Sequence, residues 1–235
     1  MTMIRCVSPV DGSVYAERPA LNLDDAKAVV ARARKAQKAW AKRPLDERIA
    51  LVLKGVAQLN EMGDEVVTEL AWQMGRPVKY GGEFKGFNER SNYMASIAGD
   101  ALAPLVIEDS AAFKRFIARE PHGVVFVIAP WNYPYMTAIN SVAPALIAGN
   151  AVILKHASQT LLTGQRLARA FHEAGVPEEV FANVFLDHET SSRLIAEKQF
   201  DFINFTGSVT GGQAIERAAA GTFTGIGLEL GGKDP

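Results

Sequence analysis

Cysteine is almost missing from this sequence, in which Cys6 is the only one among 235 residues. A single cysteine cannot form an internal disulfide, which excludes the small disulfide-stapled domains of secreted proteins. The first residues, 1–5, are not followed by the apolar core of a signal peptide. We therefore expect a cytoplasmic protein.

An excess of charge of either sign is also missing. There are 25 Lys and Arg residues against 26 Asp and Glu residues, which gives a formal net charge of -1. Such a balance provides no positive surface for nucleic acid or for an anionic membrane. The longest apolar stretches, 124–130 and 143–154, contain Pro or Gly and are shorter than the roughly 20 residues of a membrane-spanning helix. Neither nucleic acid nor a membrane is an expected partner.

Hydrophobic residues make up 48% of the chain, which is enough to bury a substantial core. Between 23 and 74 they recur at three- and four-residue spacings, which predicts two or three helices. Asn22 is the predicted N-cap of the first helix, Pro44 suits a first turn, and Gly75 is the predicted end of the last helix. A further helix is predicted over 83–98.

Residues 113–119 alternate in part between apolar and polar side chains, which predicts an isolated strand. An isolated strand needs a partner. From the pattern alone, the interpretation is an ordinary edge strand within one subunit.

From Gly123 onward, short apolar runs alternate with helical stretches, which is typical of a parallel sheet. Strands are predicted at 124–128, 151–154, 180–185, 200–205 and 226–230, and helices near 136–148, 160–174, 191–198 and 209–220. The first of these strands is continuously apolar, as expected for a parallel strand buried on both faces. The predicted fold class is α/β, with a doubly wound, mostly parallel, Rossmann-like sheet after an N-terminal helical region.

Polar residues follow the predicted strands at their carboxyl ends, where open α/β sheets bind ligands. Asn132 follows the first strand, Lys155 the second and Gly207-Ser208 the fourth, while Glu229 lies near the end of the last. One edge of the sheet is therefore expected to carry all of them.

Asn132 stands between Pro130-Trp131 and Tyr133-Pro134. Two prolines and two aromatic rings would fix the backbone and shield the amide from water, which suits a donor aimed at developing negative charge. The alternative is a turn in which Asn132 caps the following helix.

Glu229 lies between Leu228 and Leu230, and Gly231-Gly232 follow. The flanking leucines predict a partly desolvated carboxylate that could act as a base, and the glycines allow a close approach of a ligand. The alternative is a solvated strand end.

Three motifs, Pro-Trp-Asn-Tyr-Pro at 130–134, Phe-Thr-Gly-Ser at 205–208 and Glu-Leu-Gly-Gly-Lys at 229–233, together resemble the NAD(P)-dependent aldehyde dehydrogenase superfamily. The resemblance covers essentially the whole chain. It implies oxidation of a small aldehyde to a carboxylic acid through a cysteine thioester. It also implies that Asn132 stabilises the thiohemiacetal oxygen and that Glu229 activates the cysteine or water.

The resemblance further implies an NAD or NADP site. Its expected residues are Trp131, Lys155, His156, Ala157, Ser158, Gly207, Ser208 and Leu230. Lys155 would bind the ribose hydroxyls, and the start of a helix after Ser208 would bind the pyrophosphate. Many NAD-specific relatives carry Glu where this chain has Ser158, so NADP is expected to be accepted. His156 is interpreted as a neutral replacement of proline, and a solvated surface lysine is the alternative for Lys155.

The loop at 186–192 lacks the glycines that the family often has there. Its Asp187, His188 and Glu189 are adjacent, and three adjacent side chains cannot all converge on one ion. A solvated turn is predicted there, and no metal site is expected.

In the family, the catalytic cysteine lies a few dozen residues beyond the Glu-Leu-Gly-Gly-Lys motif, and Cys6 is far from Asn132 and Glu229 in the sequence. We therefore expect the N-terminal part of an aldehyde dehydrogenase, inactive alone, whose C-terminal catalytic part is missing or lies on a second chain. The alternative is a non-catalytic nucleotide-binding or interaction protein that ends at Pro235.

The resemblance also suggests a division of the chain. Residues 1–106 would form the N-terminal helical part of the cofactor-binding domain, 107–121 a strand that bridges subunits, and 122–235 the Rossmann-like core. A homodimer or homotetramer is implied for the complete protein.

Overall fold

A computed structural model describes residues 2–232 of the chain. It begins with an antiparallel pair of strands, β1 (Met3–Val7) and β2 (Val14–Pro19), in a region where only helices were expected. Most of their side chains are exposed, and Cys6 and Ala16 are the buried ones. Short strands with so few inward residues leave no clear alternation of apolar and polar positions, which explains why sequence analysis missed them.

Four helices follow, as the spacing of apolar residues predicts. They are α1 (Leu23–Ala41), α2 (Leu45–Glu61), α3 (Gly63–Met74) and α4 (Phe84–Leu102). Asn22 caps α1, with its Oδ1 accepting the Asp25 N–H at 2.8 Å, and Gly75 ends α3 in the left-handed conformation. Pro44 stands at the N-cap of α2, one position before the expected first turn.

The predicted strand near residue 113 is present, but it is not isolated. It is β4 (Lys114–Ile117), and it pairs antiparallel with β3 (Leu105–Asp109) of the same chain. The hairpin exposes six large apolar side chains, those of Leu105, Val106, Ile107, Phe113, Phe116 and Ile117.

The second half of the chain forms a five-stranded parallel sheet with the order β7-β6-β5-β8-β9. Its strands are β5 (Val124–Ala129), β6 (Ala151–His156), β7 (Phe181–Asn183), β8 (Phe202–Gly207) and β9 (Gly225–Leu230). The connecting helices are α5 (Pro134–Ile147), α6 (Leu161–Glu173), α7 (His188–Ala196) and α8 (Val209–Ala219).

Both faces of this sheet are covered. Along β5, Val125 and Val127 enter a core shared with α2 to α6, whereas Val124 and Phe126 enter a core shared with α1, α7 and α8. The predicted doubly wound α/β architecture is therefore confirmed. The chain runs outward from β5 to β7 and then returns to β8, so the strand order reverses between β5 and β8. Ligands of such folds bind at the carboxyl ends of the strands near this switch point.

Within residues 2–232, no helix combines the length and the apolar character needed to cross a bilayer.

Candidate cofactor and catalytic site

A groove of about 600 Å³ lies along the carboxyl ends of β5, β6, β8 and β9, and we call it the strand-end groove. Eight of the ten predicted site residues line it: Trp131, Asn132, Lys155, Ala157, Gly207, Ser208, Glu229 and Leu230. The two others, His156 and Ser158, lie elsewhere. The parallel sheet thus brings together residues that are up to about a hundred positions apart in the chain.

Asn132 lies at the end of β5, immediately before α5. Its Oδ1 accepts the N–H of Tyr133 at 3.0 Å, while its Nδ2 forms no hydrogen bond with any residue of the described range. This leaves the amide N–H₂ available as a donor. Asn132 does not cap α5, since the N-cap position belongs to Tyr133. The predicted shielding is wrong, because Asn132 is itself exposed, and Trp131 and Tyr133 are each 52% exposed.

Lys155 is only 8% exposed, so the alternative of a solvated surface lysine is wrong. Burial lowers the pKa of its amine, and the nearby Asp187 carboxylate partly offsets this effect. Between residues 2 and 232, the amine forms neither a hydrogen bond nor an ion pair with another side chain. A buried amine that lines a groove without a protein partner suits the binding of ligand hydroxyls or phosphate oxygens.

His156 is buried and faces the core, so its side chain does not line the groove, and its place among the cofactor-site residues stays a prediction. Its Nε2 lies 3.2 Å from the carbonyl oxygen of Pro134, and its Nδ1 lies 3.0 Å from the Thr160 hydroxyl. Burial lowers the pKa of the imidazole to about 4. Successive side chains of a strand point to opposite faces, so Lys155 and His156 cannot both face the groove.

Ser158 is exposed and begins a short 3₁₀ turn beside the groove. It therefore lies at the edge of the predicted ribose site and not in its wall.

Ser208 caps α8, because its Oγ accepts the N–H of Gly211 at 3.1 Å. The start of α8 opens onto the groove, where its free N–H groups and helix dipole favour an anion. A Cβ atom at Gly207 would lie 2.7 Å from the Phe205 ring, and one at Gly211 would lie 2.5 Å from it. The two glycines therefore leave the space that the Phe205 ring occupies against this turn.

Glu229 is exposed, which contradicts its predicted partial desolvation. The cause is that β9 has β8 as its only neighbouring strand within residues 2–232, and the flanking Leu230 is itself 42% exposed. The N–H of Gly231 donates to the carbonyl of Gly207 at 2.9 Å and continues the pairing beyond β9. Lys233, the last residue of the motif, lies outside the described residues.

Comparison with known proteins identifies the family. The model of the "Aldehyde dehydrogenase family" matches residues 1–235. The chain belongs to the aldehyde dehydrogenase family. It is 35% identical over 234 residues to a vanillin dehydrogenase of Corynebacterium glutamicum, covering 97% of this chain and 48% of the relative. A succinate-semialdehyde dehydrogenase [NADP(+)] of Deinococcus radiodurans is 30% identical over 230 residues, which cover 97% of this chain and 48% of the relative.

Among solved structures, an NAD-dependent benzaldehyde dehydrogenase from Corynebacterium glutamicum matches with a TM-score of 0.90 and 32% identity. The match covers 100% of this chain and 52% of that one. The chain thus spans about half the length of the aldehyde dehydrogenases that it matches. The names of these relatives include both NAD and NADP as cofactors.

His188 also lines the groove, and it was not among the predicted site residues. Residues 187–189 are the start of α7 and not a solvated turn: Asp187 accepts the Thr190 N–H at 2.7 Å as N-cap, and this hydrogen bond lowers the pKa of its carboxyl group. A helix was predicted near 191–198, and the N-cap preference of Asp was the signal that could have located its start at Asp187. In the described part of the chain, no three His, Cys, Asp or Glu residues cluster as a metal site would need.

Cys6 is fully buried, and its Sγ lies 3.0 Å from the carbonyl oxygen of Gln159. Burial raises the pKa of its thiol, which disfavours the thiolate form that a nucleophile needs. It packs with Ala16 and Leu161, outside the strand-end groove. The expectation that Cys6 does not serve as the aldehyde dehydrogenase nucleophile agrees with this position.

Proposed function

We propose that this chain provides the cofactor site and two catalytic groups of an enzyme that oxidises a small aldehyde to a carboxylic acid with NAD or NADP. The observation that carries the proposal is the convergence of Asn132, Lys155, Ser208 and Glu229 on one groove at the switch point of the sheet. Bound NAD(P) would supply the hydride acceptor. Membership of the family adds support, because its relatives are named for this chemistry.

The residues of the strand-end groove fit a dinucleotide. Lys155 offers a mostly buried amine that has no partner among residues 2–232 and could bind ribose hydroxyls. The capped start of α8 offers N–H groups for the pyrophosphate, and the peptide group of Leu230 would contact the nicotinamide end.

Asn132 is the proposed donor to the oxygen that becomes negative during the reaction. Its Oδ1 already accepts the N–H of Tyr133, which orients the amide, and its N–H₂ group donates to no residue of the described part of the chain. Removal of one such donor costs about 10² to 10³ in kcat. Glu229 is the proposed general base, since its carboxylate at the end of β9 is open to water and to a thiol approaching the groove.

The nucleophile has to come from outside these residues. The only cysteine, Cys6, is buried and lies away from the groove. We propose that the 235 residues alone bind cofactor without turnover and that turnover requires a polypeptide segment carrying a reactive cysteine. The single buried cysteine also favours the second candidate, a non-catalytic nucleotide-binding protein.

Calorimetric titration with NAD and NADP, followed by an assay of aldehyde-dependent NAD(P)H formation, tests the proposal. We expect binding without turnover for the 235 residues, and turnover once a cysteine-bearing segment completes the enzyme. Asn132→Ala should then lower kcat by about 10² to 10³. If the completed enzyme binds NAD(P) but oxidises no aldehyde, the second candidate replaces the first, and absence of binding contradicts both.

We propose that the cofactor site accepts NADP as well as NAD. Ser158 is exposed and uncharged beside the ribose site, and Lys155 can pair with a 2′-phosphate. Ser158→Glu should weaken NADP binding at least about tenfold more than NAD binding, because a carboxylate repels the phosphate. Ser96→Glu, on the exposed surface of α4, is the matched control. Equal losses for the two cofactors would contradict this proposal.

We also propose that the β3–β4 hairpin joins two copies of the chain in a homodimer or homotetramer. Its six large apolar side chains are all more than half exposed, which is costly for a lone subunit. A Val106→Lys, Phe116→Lys double variant should shift sedimentation toward the monomer, whereas Val78→Lys, at another exposed apolar residue, should not. A monomeric wild-type protein would refute the proposal. A cytoplasmic location stays a prediction.

A further inference from the structure

The segment between α3 and α4 approaches the Asn132 turn from outside the sheet. There, Arg76 donates from Nη2 to the main-chain carbonyl of Asn132 at 2.9 Å. From Nη1 it donates to Oε1 of Glu83 at 2.6 Å. One guanidinium therefore connects the candidate oxyanion donor to a carboxylate, using the forked arrangement of donors that only arginine has.

Glu83 contacts the same turn on its other side. Its Oε2 accepts the N–H of Met136 at 2.7 Å, within the first turn of α5. This N–H has no partner inside the helix, and Tyr133 at the N-cap provides no side-chain acceptor in the described structure. Glu83 thus acts as a cap supplied from another element, with its negative charge at the positive end of the helix dipole.

Tyr133 completes the contact. The Arg76 guanidinium carbon lies 5.1 Å from the centre of its ring, within the range of cation–π attraction. The two charged side chains therefore hold the turn at three residues: Asn132, Tyr133 and Met136.

The pair is shielded from water, since the Arg76 and Glu83 side chains are only 12% and 3% exposed. Shielding strengthens the hydrogen bonds and makes the loss of one partner costly. Desolvation raises the pKa of Glu83 even though Arg76 and the helix N–H groups favour its charged form. The hydrogen bonds that Glu83 accepts from Arg76 and from the Met136 N–H offset part of this desolvation cost.

We propose that Arg76 and Glu83 are positioning residues that fix Asn132 at the strand-end groove, and we call the pair the clamp. The inference rests on the proposed role of Asn132. Neither residue of the clamp lines the groove, so the pair acts through the carbonyl of Asn132 and the first turn of α5. A displacement of about 1 Å in a catalytic group can cost about 10²-fold in rate, which makes such fixation consequential.

Trp131, next to Asn132 and 52% exposed, reports the order of the turn without any turnover. The test uses acrylamide quenching of its fluorescence in a Trp72→Phe background, where the remaining Trp40 is buried and protected. Acrylamide is neutral, so the change of charge in a variant does not bias the measurement. Arg76→Met and Glu83→Gln should both increase quenching, and Arg76→Lys should give an intermediate value because a lysine cannot bridge both acceptors.

The matched control is Glu69→Gln, which breaks a comparable ion pair with Arg166 between α3 and α6. Glu69 is 8% exposed in its side chain, so its loss also costs stability, but it should leave Trp131 quenching unchanged. Unfolding in urea shows which variants are folded. Unchanged quenching in folded Arg76→Met and Glu83→Gln, or the same increase in Glu69→Gln, overturns the clamp.

In the enzyme that turns over, the clamp variants should lower kcat by about 10- to 100-fold with a much smaller change in KM. Increased quenching with unchanged kcat overturns the positioning role. The proposed function has a separate test: it is refuted if Asn132→Ala leaves kcat of the completed enzyme unchanged. Trp131 quenching does not depend on the reaction, so it still tests the clamp in that case.

Discussion

The two candidate catalytic residues lie two strands apart, and the surrounding structure holds them in different ways. Asn132 is followed at once by α5, whose start is fixed by Glu83 from before α4 and by His156 from β6. Glu229 lies on the edge strand β9 and, within residues 2–232, has β8 as its only strand neighbour. Within residues 2–232, support of the groove is therefore uneven: several elements fix the Asn132 turn, which we call the donor side, and one strand holds Glu229, which we call the base side.

This difference arises because the polar groups at the start of α5 are more buried than those at the end of β9. The start of α5 presents a partly buried N–H group at Met136 and a buried C=O group at Pro134, and protein side chains satisfy both. The end of β9 is solvated, so its polar groups need no such partners. The same difference predicts that changes on the donor side disturb folding and that changes at Glu229 do not.

The largest expected effect comes from His156→Ala. The substitution leaves the carbonyl of Pro134 and the hydroxyl of Thr160 without their buried partner and opens a cavity. Such losses cost about 3 kcal/mol in the free energy of unfolding. Urea denaturation measures this cost, with His188→Ala, at an exposed position of the groove, as the control expected within about 0.5 kcal/mol. If both histidine variants lost a similar amount of unfolding free energy, the proposed difference in stability between the buried contacts at the start of α5 and the exposed positions of the groove would be refuted.

The pH dependence of stability sharpens the comparison. The pKa of His156 is about 4 in the folded chain, below its ordinary value of 6.5. As the pH falls from 6.5 toward 4, the unfolded chain takes up a proton that the folded chain refuses, so stability decreases. The full difference corresponds to about 3 kcal/mol, at about 1.4 kcal/mol for each pH unit.

His156→Gln isolates this contribution from that of other groups, such as Glu83, whose raised pKa acts in the opposite direction as the pH changes. Unfolding free energies at several pH values should fall less steeply with acid for the variant than for the wild type. Parallel curves for the two proteins would mean that His156 takes up its proton in the folded state as readily as in the unfolded one.

The donor side also shows how far sequence reasoning reaches. The continuous apolar run of β5 predicts a strand buried on both faces, and both cores contain its residues. Asn22 and Gly75 mark helix ends because capping depends on local chemistry alone. The alternation of a strand places Lys155 and His156 on opposite faces, and of the two Lys155 lines the groove.

Other features depend on tertiary structure. The hydrogen bond of Arg76 to Asn132 joins residues 56 positions apart, and no local pattern announces it. The exposure of Glu229 depends on which elements surround β9, and the partner of β4 depends on a turn that pairs it with β3. Residue types at strand ends located the groove, whereas the groups that hold its members in place could be found only in three dimensions.

The smallest expected effect is that of Glu229→Gln on folding. The carboxylate is exposed and forms no hydrogen bond or ion pair with the described residues, so the free energy of unfolding should change by less than about 0.5 kcal/mol. Urea denaturation of this variant beside Asp187→Ala, which removes the N-cap of α7, provides the scale, since such a cap is worth about 1 kcal/mol. A loss at Glu229 as large as at Asp187 would reveal a partner for this carboxylate. A neutral result makes Glu229→Gln the variant of choice for catalysis, because any loss of turnover in the completed enzyme then reports on the base and not on the fold.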